Sequence, residues 1–324
     1  MKAGIVTTAG KSPIYGDFDE PVAREGRELI SVSASALSQF SKSRSSGSHY
    51  SSEAVFPSVA GAEGVGRTSS GQRVYFVLPE TPYGALAEKS LVRSSHCVGI
   101  PDTLDDVTAA AIANPGMSAW AALTERAKTQ PGETVLIHGA TGTAGRLAVQ
   151  LAKHLGARKV IGTGRNEAEL QEVLSLGADV VIPFSLGPGN PAGAEQYEEA
   201  LSAQFTDGID VVIDYLWGES AKTIIVAIAK CVEDARPARF VHVGGASGKQ
   251  SIELPGAALR SSAIQLMGSG VKSVPFPKLL NSIKNVFNIA ITAKLQIATR
   301  CLPLSAIEEA WSAPGKPRVV LTIP

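Results

Sequence analysis

Residues Glu133–Leu155, ETVLIHGATGTAGRLAVQLAKHL, predict a buried strand, a glycine turn and an amphipathic helix. Thr134–His138 is β-branched or apolar almost without interruption, which favours a short strand. Gly139–Gly145 consists of glycine and small residues, which favours a tight turn. After the turn, apolar residues recur at the spacing of one helix face, and they are Ala144, Leu147, Ala148, Leu151, Ala152 and Leu155.

The turn has the spacing A-x-G-x-x-G, with Ala140 in the first glycine position. A strand before it and a helix after it are the context in which this spacing predicts a dinucleotide site. Gly142 would let main-chain amides approach a pyrophosphate, and Gly145 would let the helix lie close to the strand. The start of the helix would supply free N–H groups and a partial positive charge for the anion. The alternative is a tight turn between strand and helix that binds nothing.

At 324 residues the chain is long enough for about two domains. Its 44% hydrophobic and 19% charged residues are typical of a soluble globular protein, and its zero net charge does not favour nucleic acid or an anionic membrane as a partner. No apolar run reaches the ~18 residues of a membrane span. The first apolar stretch is too short for a signal peptide, and the three cysteines form no C-x-x-C pair, so a cytoplasmic location is expected.

The pattern changes near Glu133. Residues 1–112 are predicted to be mainly β, because short β-branched or alternating segments are separated by Gly, Pro and Ser. Helices are predicted at Asp105–Ala113 and Met117–Ala127, with a break at Asn114–Gly116. Strands and helices then alternate, which predicts a doubly wound α/β fold with a parallel sheet. Its six strands are Thr134–His138, Lys159–Gly164, Ala178–Phe184, Ile209–Tyr215, Arg239–Val243 and Ile264–Met267.

Glycines mark the ends of four of these strands. Gly139, Gly164, Gly244 and Gly268 should therefore lie along the carboxyl edge of the sheet, where such folds bind nucleotides. Two later strand-like segments, in residues 295–302 and 318–323, are expected to rejoin the first domain.

The residues after the second parallel strand favour NADPH over NADH. An NAD site usually carries an acid at this place, whereas this chain has Gly164, Arg165 and Asn166. Arg165 can pair with a 2′-phosphate through its planar guanidinium group. The alternatives are that Arg165 is a solvated surface residue and that Asn166 only caps the following helix.

Further motifs are distributed along the chain, and they are Phe56–Gly66, Gly71–Tyr75, Gly84–Glu88, Pro115–Ala119, Leu302–Leu304, Glu308–Trp311 and Gly315–Val320. With these motifs the whole chain resembles the medium-chain dehydrogenase/reductase superfamily, and its nearest branch resembles the zinc-independent quinone oxidoreductases and enone reductases. The resemblance implies a GroES-like β-rich domain, residues 1–115 and 267–324, split around a Rossmann domain, residues 116–266. It also implies an active cleft between the two domains.

The resemblance also indicates that no zinc is bound. Alcohol dehydrogenases of the superfamily place a Cys, the His of a Gly-His-Glu and a later Cys on catalytic zinc. Here Gly61–Glu63 reads Gly-Ala-Glu, residues 38–41 contain no cysteine, and Pro115 takes the place of the later one. Only Glu63 is kept, whereas zinc needs three or four converging ligands.

Residue by residue, the resemblance implies a cofactor site along the carboxyl edge. It implies contact with the pyrophosphate by Gly142, Thr143, Ala144 and Gly145, with the adenosine phosphate by Gly164, Arg165 and Asn166, and with the nicotinamide half by Val243, Gly244, Gly245, Met267, Gly268 and Ser269. Tyr215 is expected to form part of the cofactor pocket. The family's tyrosine after the third strand is replaced by Phe184, so its hydroxyl is missing.

Hydride transfer from NADPH to a quinone or an α,β-unsaturated carbonyl is the implied reaction, and a hydrogen-bond donor must stabilise the oxyanion. Ser38, Lys42 and Tyr50 are the candidate catalytic residues lining the substrate cleft. The alternative for all three is a loop position without a role. The expected partner is a small-molecule acceptor, and a homodimer is implied because relatives pair. A second class of function is an NADPH-binding scaffold or sensor with little catalysis.

Overall fold

The computed structural model describes residues 1–48, 52, 55–187 and 189–324. The chain divides into two compact units, the first comprising Met1–Asn114 and Ile283–Pro324 and the second Pro115–Ser282. The domain limit placed by sequence at residue 267 falls inside a strand that pairs within the second unit. Among the described residues, no helix has both the length and the apolarity needed to cross a membrane.

The strands, in chain order, are β1 (Lys2–Val6), β2 (Ile14–Asp17), β3 (Arg27–Ala36), β4 (Ser58–Val59), β5 (Glu63–Thr68), β6 (Arg73–Val77), β7 (Lys89–Arg93), β8 (Cys97–Gly99), β9 (Thr134–His138), β10 (Lys159–Gly164), β11 (Val180–Pro183), β12 (Val211–Asp214), β13 (Pro237–His242), β14 (Ala263–Gly268), β15 (Thr299–Pro303) and β16 (Arg318–Thr322). The α-helices are α1 (Gln39–Ser45), α2 (Asp106–Trp120), α3 (Thr143–His154), α4 (Glu167–Ser175), α5 (Gly193–Phe205), α6 (Glu219–Cys231), α7 (Gly256–Arg260), α8 (Phe276–Ile289) and α9 (Ile307–Ser312).

The first unit is built on a sheet in the order β15-β16-β3-β5-β6-β8, with β7 also paired to β3, and on a smaller sheet β2-β1-β4. Apart from the parallel pair β15 and β16, its strands pair antiparallel. Strand β16 pairs with β3, so the end of the chain returns to the first sheet as expected. Buried apolar residues of these strands form its core, among them Ile30, Val74, Phe76 and Leu321.

The second unit contains a six-stranded parallel sheet in the order β11-β10-β9-β12-β13-β14. The order reverses next to β9, which is the arrangement of a doubly wound fold. All five residues of β9 are buried, which explains its nearly unbroken apolar sequence. The predicted α/β fold class is confirmed by this sheet and by the separate antiparallel unit.

The predicted helix break at Asn114–Gly116 is wrong. Helix α2 runs through Pro115 to Trp120 and continues as a π-helical segment, Ala121–Arg126. Proline costs a helix one hydrogen bond, but residues 109–113 of this helix are buried. The free energy of that burial outweighs the local cost, and such tertiary effects cannot be read from propensity.

Candidate functional site

The glycine turn after β9 holds α3 close to the strand. A Cβ on Gly145 would lie 2.3 Å from the carbonyl oxygen of Gly139 and 2.7 Å from the Cα of Ala140, so only glycine fits there. A Cβ on Gly142 would meet only the Gly139 oxygen, at 3.5 Å, which is ordinary contact. Packing therefore explains why residue 145 is a glycine. Gly142, by contrast, faces free space. Helix α3 begins at Thr143 with no side-chain cap, so its first amides remain available to an anion.

The glycines at the other strand ends fall into two groups. Gly164, at the end of β10, is enclosed, because its Cβ would lie 2.8 Å from the side chain of Thr141. Gly244 and Gly245 follow β13, and Gly268 ends β14. A Cβ on Gly244 would be 3.5 Å from the nearest described atom, one on Gly245 would be 3.8 Å away, and one on Gly268 would meet nothing within 4 Å. Open space thus lies beside the main chain at both of these strand ends.

Arg165 and Asn166 follow β10. Arg165 is exposed and forms no hydrogen bond or ion pair with any residue that the structure describes. Asn166 caps α4, because its Oδ1 accepts from the Glu169 amide at 3.2 Å. Asn166 therefore caps the helix, and this role is compatible with contact between its side-chain amide group and a phosphate. An unpaired guanidinium at this strand end is a suitable partner for an anion.

Tyr215 and Val243 lie at the ends of neighbouring strands. The Tyr215 amide donates to the His138 carbonyl at 3.1 Å, and the Val243 amide donates to the Asp214 carbonyl at 2.7 Å. Burial raises the pKa of the Tyr215 hydroxyl, and the Ser118 side chain partly opposes this rise. Met267 and Gly268 end β14, and Ser269 is tied to β13 because its amide donates to the His242 carbonyl at 2.8 Å.

His138 is a core residue. It is fully buried, with Nδ1 2.6 Å from the Thr163 hydroxyl and Nε2 2.8 Å from the Ser220 hydroxyl. The rings of Phe184 and Tyr197 pack beside it, at centroid distances of 5.3 and 6.3 Å. Burial lowers the pKa of His138 to about 4, so the imidazole is neutral near pH 7. These contacts make His138 a packing residue of the core.

In the first unit, Glu63 lies at the centre of a buried polar cluster and is only 1% exposed. Its carboxylate accepts from the Tyr75 hydroxyl at 2.7 Å and from the Ser38 hydroxyl at 3.2 Å, and it lies 3.6 Å from the Arg318 guanidinium. Burial raises the pKa of Glu63, and Arg318, Tyr75, Asn114 and Ser38 oppose this rise. From the sequence, Glu63 was identifiable only as the remainder of a zinc motif, and its partners were missed because they lie far away in the chain.

This cluster does not fit zinc. The groups around Glu63 are hydrogen-bond donors, and the buried Arg318 already supplies a positive charge beside the carboxylate. A second cation would be repelled there, and Ser38 and Tyr75 are not ligands that zinc commonly takes in proteins. Over the residues that the structure describes, no group of three or more His, Cys, Asp or Glu side chains could hold a metal.

The candidate catalytic residues Ser38 and Lys42 contact different partners. Ser38 belongs to the Glu63 cluster and also caps α1, since its Oγ accepts from the Ser41 amide at 2.9 Å. Lys42 is bound elsewhere in the first unit: its Nζ donates to the Trp311 carbonyl at 2.6 Å and lies 5.7 Å from the centre of the Trp311 ring. Burial lowers the pKa of Lys42. Tyr50 lies outside the described residues.

The chain is similar in sequence and in fold to known proteins. Residues 144–285 match the family described as zinc-binding dehydrogenase. The probable NADPH-dependent quinone reductase tdiC of Emericella nidulans is 27% identical, and the alignment covers 96% of both chains. A 2-haloacrylate reductase of a Burkholderia species is 35% identical over 47% of this chain and 43% of its own length.

The solved structure of the quinone oxidoreductase from Thermus thermophilus, described together with its complex with NADPH, superposes with a TM-score of 0.78 at 23% identity, over 99% of this chain and 100% of that one. The shared fold therefore includes both units. The dehydrogenase match and the full-length relative show that the chain is similar in sequence to zinc-binding dehydrogenases and to a quinone reductase.

Proposed function

We propose that this protein is an NADPH-dependent, zinc-independent reductase that transfers hydride to a quinone or to an α,β-unsaturated carbonyl. The observation that carries the proposal is the free space at Gly142 beside the uncapped start of α3, with the unpaired Arg165 at the next strand end. Relatives named as quinone and 2-haloacrylate reductases support the same class of reaction.

The proposed cofactor site follows the carboxyl edge of the parallel sheet. The amides of Thr143, Ala144 and Gly145 would hold the pyrophosphate, because the first turn of a helix offers unpaired donors. Arg165 and Asn166, next to Gly164, would hold the 2′-phosphate. The nicotinamide half would lie along Tyr215, Val243–Gly245 and Met267–Ser269, where the glycines leave space beside the main chain. Bound NADPH supplies the hydride.

The residues of this chain would bind and orient the reactants and provide hydrogen bonds. Ser38, Lys42 and Tyr50 stay the proposed residues of the substrate site. Ser38 already donates to the Glu63 carboxylate, and Lys42 already donates to the Trp311 carbonyl. Ser38 has one hydroxyl hydrogen and would have to release Glu63 to donate to a developing oxyanion, whereas the Lys42 ammonium has further hydrogens to donate.

The proposal is tested by titrating the protein with NADPH and NADH by fluorescence and then measuring NADPH oxidation with a panel of quinones and enones. Preferential NADPH binding and turnover of at least one acceptor are expected. EDTA should leave the rate unchanged, because no step requires a metal. Binding of NADPH without turnover of any acceptor would favour the scaffold or sensor function, and loss of activity with EDTA would contradict zinc independence.

We also propose a cytoplasmic homodimer. Strand β14 lies at one edge of the six-stranded sheet and exposes Leu266, and the adjacent α7 exposes Leu259. An open edge with apolar side chains favours association. Light scattering during gel filtration should give twice the chain mass, and Leu266→Glu should shift the protein towards the monomer.

A further inference from the structure

Three donors converge on the side chain of Asp214, at the carboxyl end of β12. Asp214 is fully buried. Its Oδ1 accepts from the amides of Leu216 and Trp217, at 2.9 and 3.0 Å. Its Oδ2 accepts from Nδ1 of His242, at 2.7 Å. The carboxylate therefore joins the loop after β12 to the last residue of β13.

The loop after β12 has an unusual backbone conformation. Trp217 has a φ of +62°, in the left-handed region that bulky residues seldom adopt. Its amide is held by Asp214, and its ring lies 4.5 Å from the His242 ring. A strained conformation persists only where its surroundings fix it, and such residues concentrate at functional sites. Asp214 and His242 supply the side-chain contacts that fix this one.

The same loop is connected to both neighbouring strand ends. On one side, the Tyr215 amide donates to the His138 carbonyl at 3.1 Å. On the other, the amides of Ala246 and Ser247 donate to the carbonyls of Tyr215 and Leu216, both at 3.0 Å. A shift of this loop would therefore displace the turns after β9 and β13, where the proposed cofactor contacts lie.

His242 occupies the centre of this arrangement. In the sheet it lies opposite Asp214 on one side and Gly268 on the other. Because a carboxylate only accepts, Nδ1 carries the hydrogen in the bond to Asp214. The side chain is 36% exposed, and it directly precedes Val243 and Gly244. No other titratable side chain is paired with it among the residues that the structure describes.

We propose that His242 is a positioning residue for the nicotinamide half of the cofactor. Its Nδ1 donates to Asp214 and its ring supports Trp217, and together these contacts hold the Tyr215–Gly218 and Val243–Ser247 loops in the arrangement that receives the nicotinamide ribose. The proposal rests on the proposed function of the protein and adds a residue pair to its cofactor site.

The test distinguishes binding of the nicotinamide half of the cofactor from binding of the adenosine half. NADPH and adenosine 2′,5′-bisphosphate, which lacks the nicotinamide half, are titrated against wild type, His242→Phe and His242→Asn. Phenylalanine keeps a ring against Trp217 but removes the donor to Asp214, whereas asparagine keeps a donor near the position of Nδ1. His154→Asn, at an exposed position in the last turn of α3, is the matched control.

His242→Phe should raise the Kd for NADPH by about tenfold or more and leave that for adenosine 2′,5′-bisphosphate within about twofold. His242→Asn should recover most of the affinity, and His154→Asn should resemble wild type. In turnover, KM for NADPH should rise in His242→Phe, whereas kcat at saturating NADPH and KM for the acceptor should change little. A residue that only stabilises the fold would not produce this split between ligands.

Equal losses for both ligands would mean general damage to the site and would overturn the proposal, as would unchanged NADPH binding in His242→Phe. A lack of rescue by His242→Asn would overturn the assigned role of the Nδ1 donor. If the wild-type protein bound no NADPH, the proposed function would fail and this inference with it. Wild-type binding with an unaffected Phe variant would remove only the inference.

Discussion

Gly145 and Gly139 are in such close contact that a Cβ on Gly145 would lie 2.3 Å from the Gly139 carbonyl oxygen. The contact fixes the start of α3 against the end of β9. Gly145→Ala should therefore force α3 away from the strand and cost about 1–3 kcal/mol of unfolding free energy, as overpacking does. Urea denaturation measures this loss, and an unchanged midpoint would show that the turn can relax.

Gly142→Ala is the matched variant at the same turn. Its new methyl group would be 3.5 Å from the nearest described atom, so the unfolding midpoint should stay near that of wild type. The methyl group would, however, occupy the space proposed for the pyrophosphate. We expect about tenfold weaker NADPH binding, or about 1.4 kcal/mol, in a fluorescence titration. Unaltered NADPH affinity would place the phosphates elsewhere.

Arg165→Ala should weaken NADPH binding by about 1–3 kcal/mol, because a hydrogen-bonded charge pair with the 2′-phosphate would be lost. NADH lacks that phosphate, so its affinity should hardly change. Arg260→Ala, at another exposed arginine of the second unit, provides the control. Equal effects of Arg165→Ala on both cofactors would refute the phosphate role.

The low pKa of the buried His138 predicts that the stability of the fold depends on pH. Burial lowers its folded pKa to about 4 from 6.5, so the unfolded state binds the proton more tightly. Its stabilising contribution is therefore complete above about pH 6.5 and is lost as the pH falls towards 4. Between pH 7 and pH 5 the loss should be about 2 kcal/mol, from ~1.4 kcal/mol per pKa unit.

Urea denaturation of wild type and His138→Gln at both pH values isolates the contribution of His138 to the free energy of unfolding, because all other groups titrate in both proteins. The variant should be less stable at pH 7, since Thr163 and Ser220 lose their partner, but its stability should depend less steeply on pH. Equal pH dependence in the two proteins would show that His138 does not titrate as inferred.

Glu63 and Arg318 should be strongly coupled. Arg318 is 7% exposed, and its Nε and Nη2 have no hydrogen-bond partner among the described residues, so Glu63 is its main compensation. Glu63→Gln would leave a buried cation unpaired and should cost about 3–5 kcal/mol. Adding Arg318→Met should recover part of this loss, as measured by urea denaturation in a double-mutant cycle. Additive effects would contradict a charge pair.

The local sequence pattern was sufficient to predict the parallel sheet. The apolar run of β9, the periodicity of α3 and the glycines at four strand ends are all short-range signals, and right-handed crossovers leave few ways to connect such units. The proposed cofactor edge rests on the same signals, because carboxyl ends of parallel strands meet along one side of a sheet. At α2, by contrast, burial of the surrounding residues outweighed the helix-breaking tendency of Pro115.

The buried polar groups could not be assigned from pattern. Glu63 lies 25 residues from Ser38 and 12 from Tyr75, and its counter-charge comes from the last strand. Asp214 lies 28 residues from His242, and neither has a local signal of pairing. Periodicity reports which face of an element is apolar, whereas the partners of a buried charge depend on how distant segments pack. The fold class was therefore already contained in the order of residues, and the contacts of Glu63 and His242 arose only when the sheets assembled.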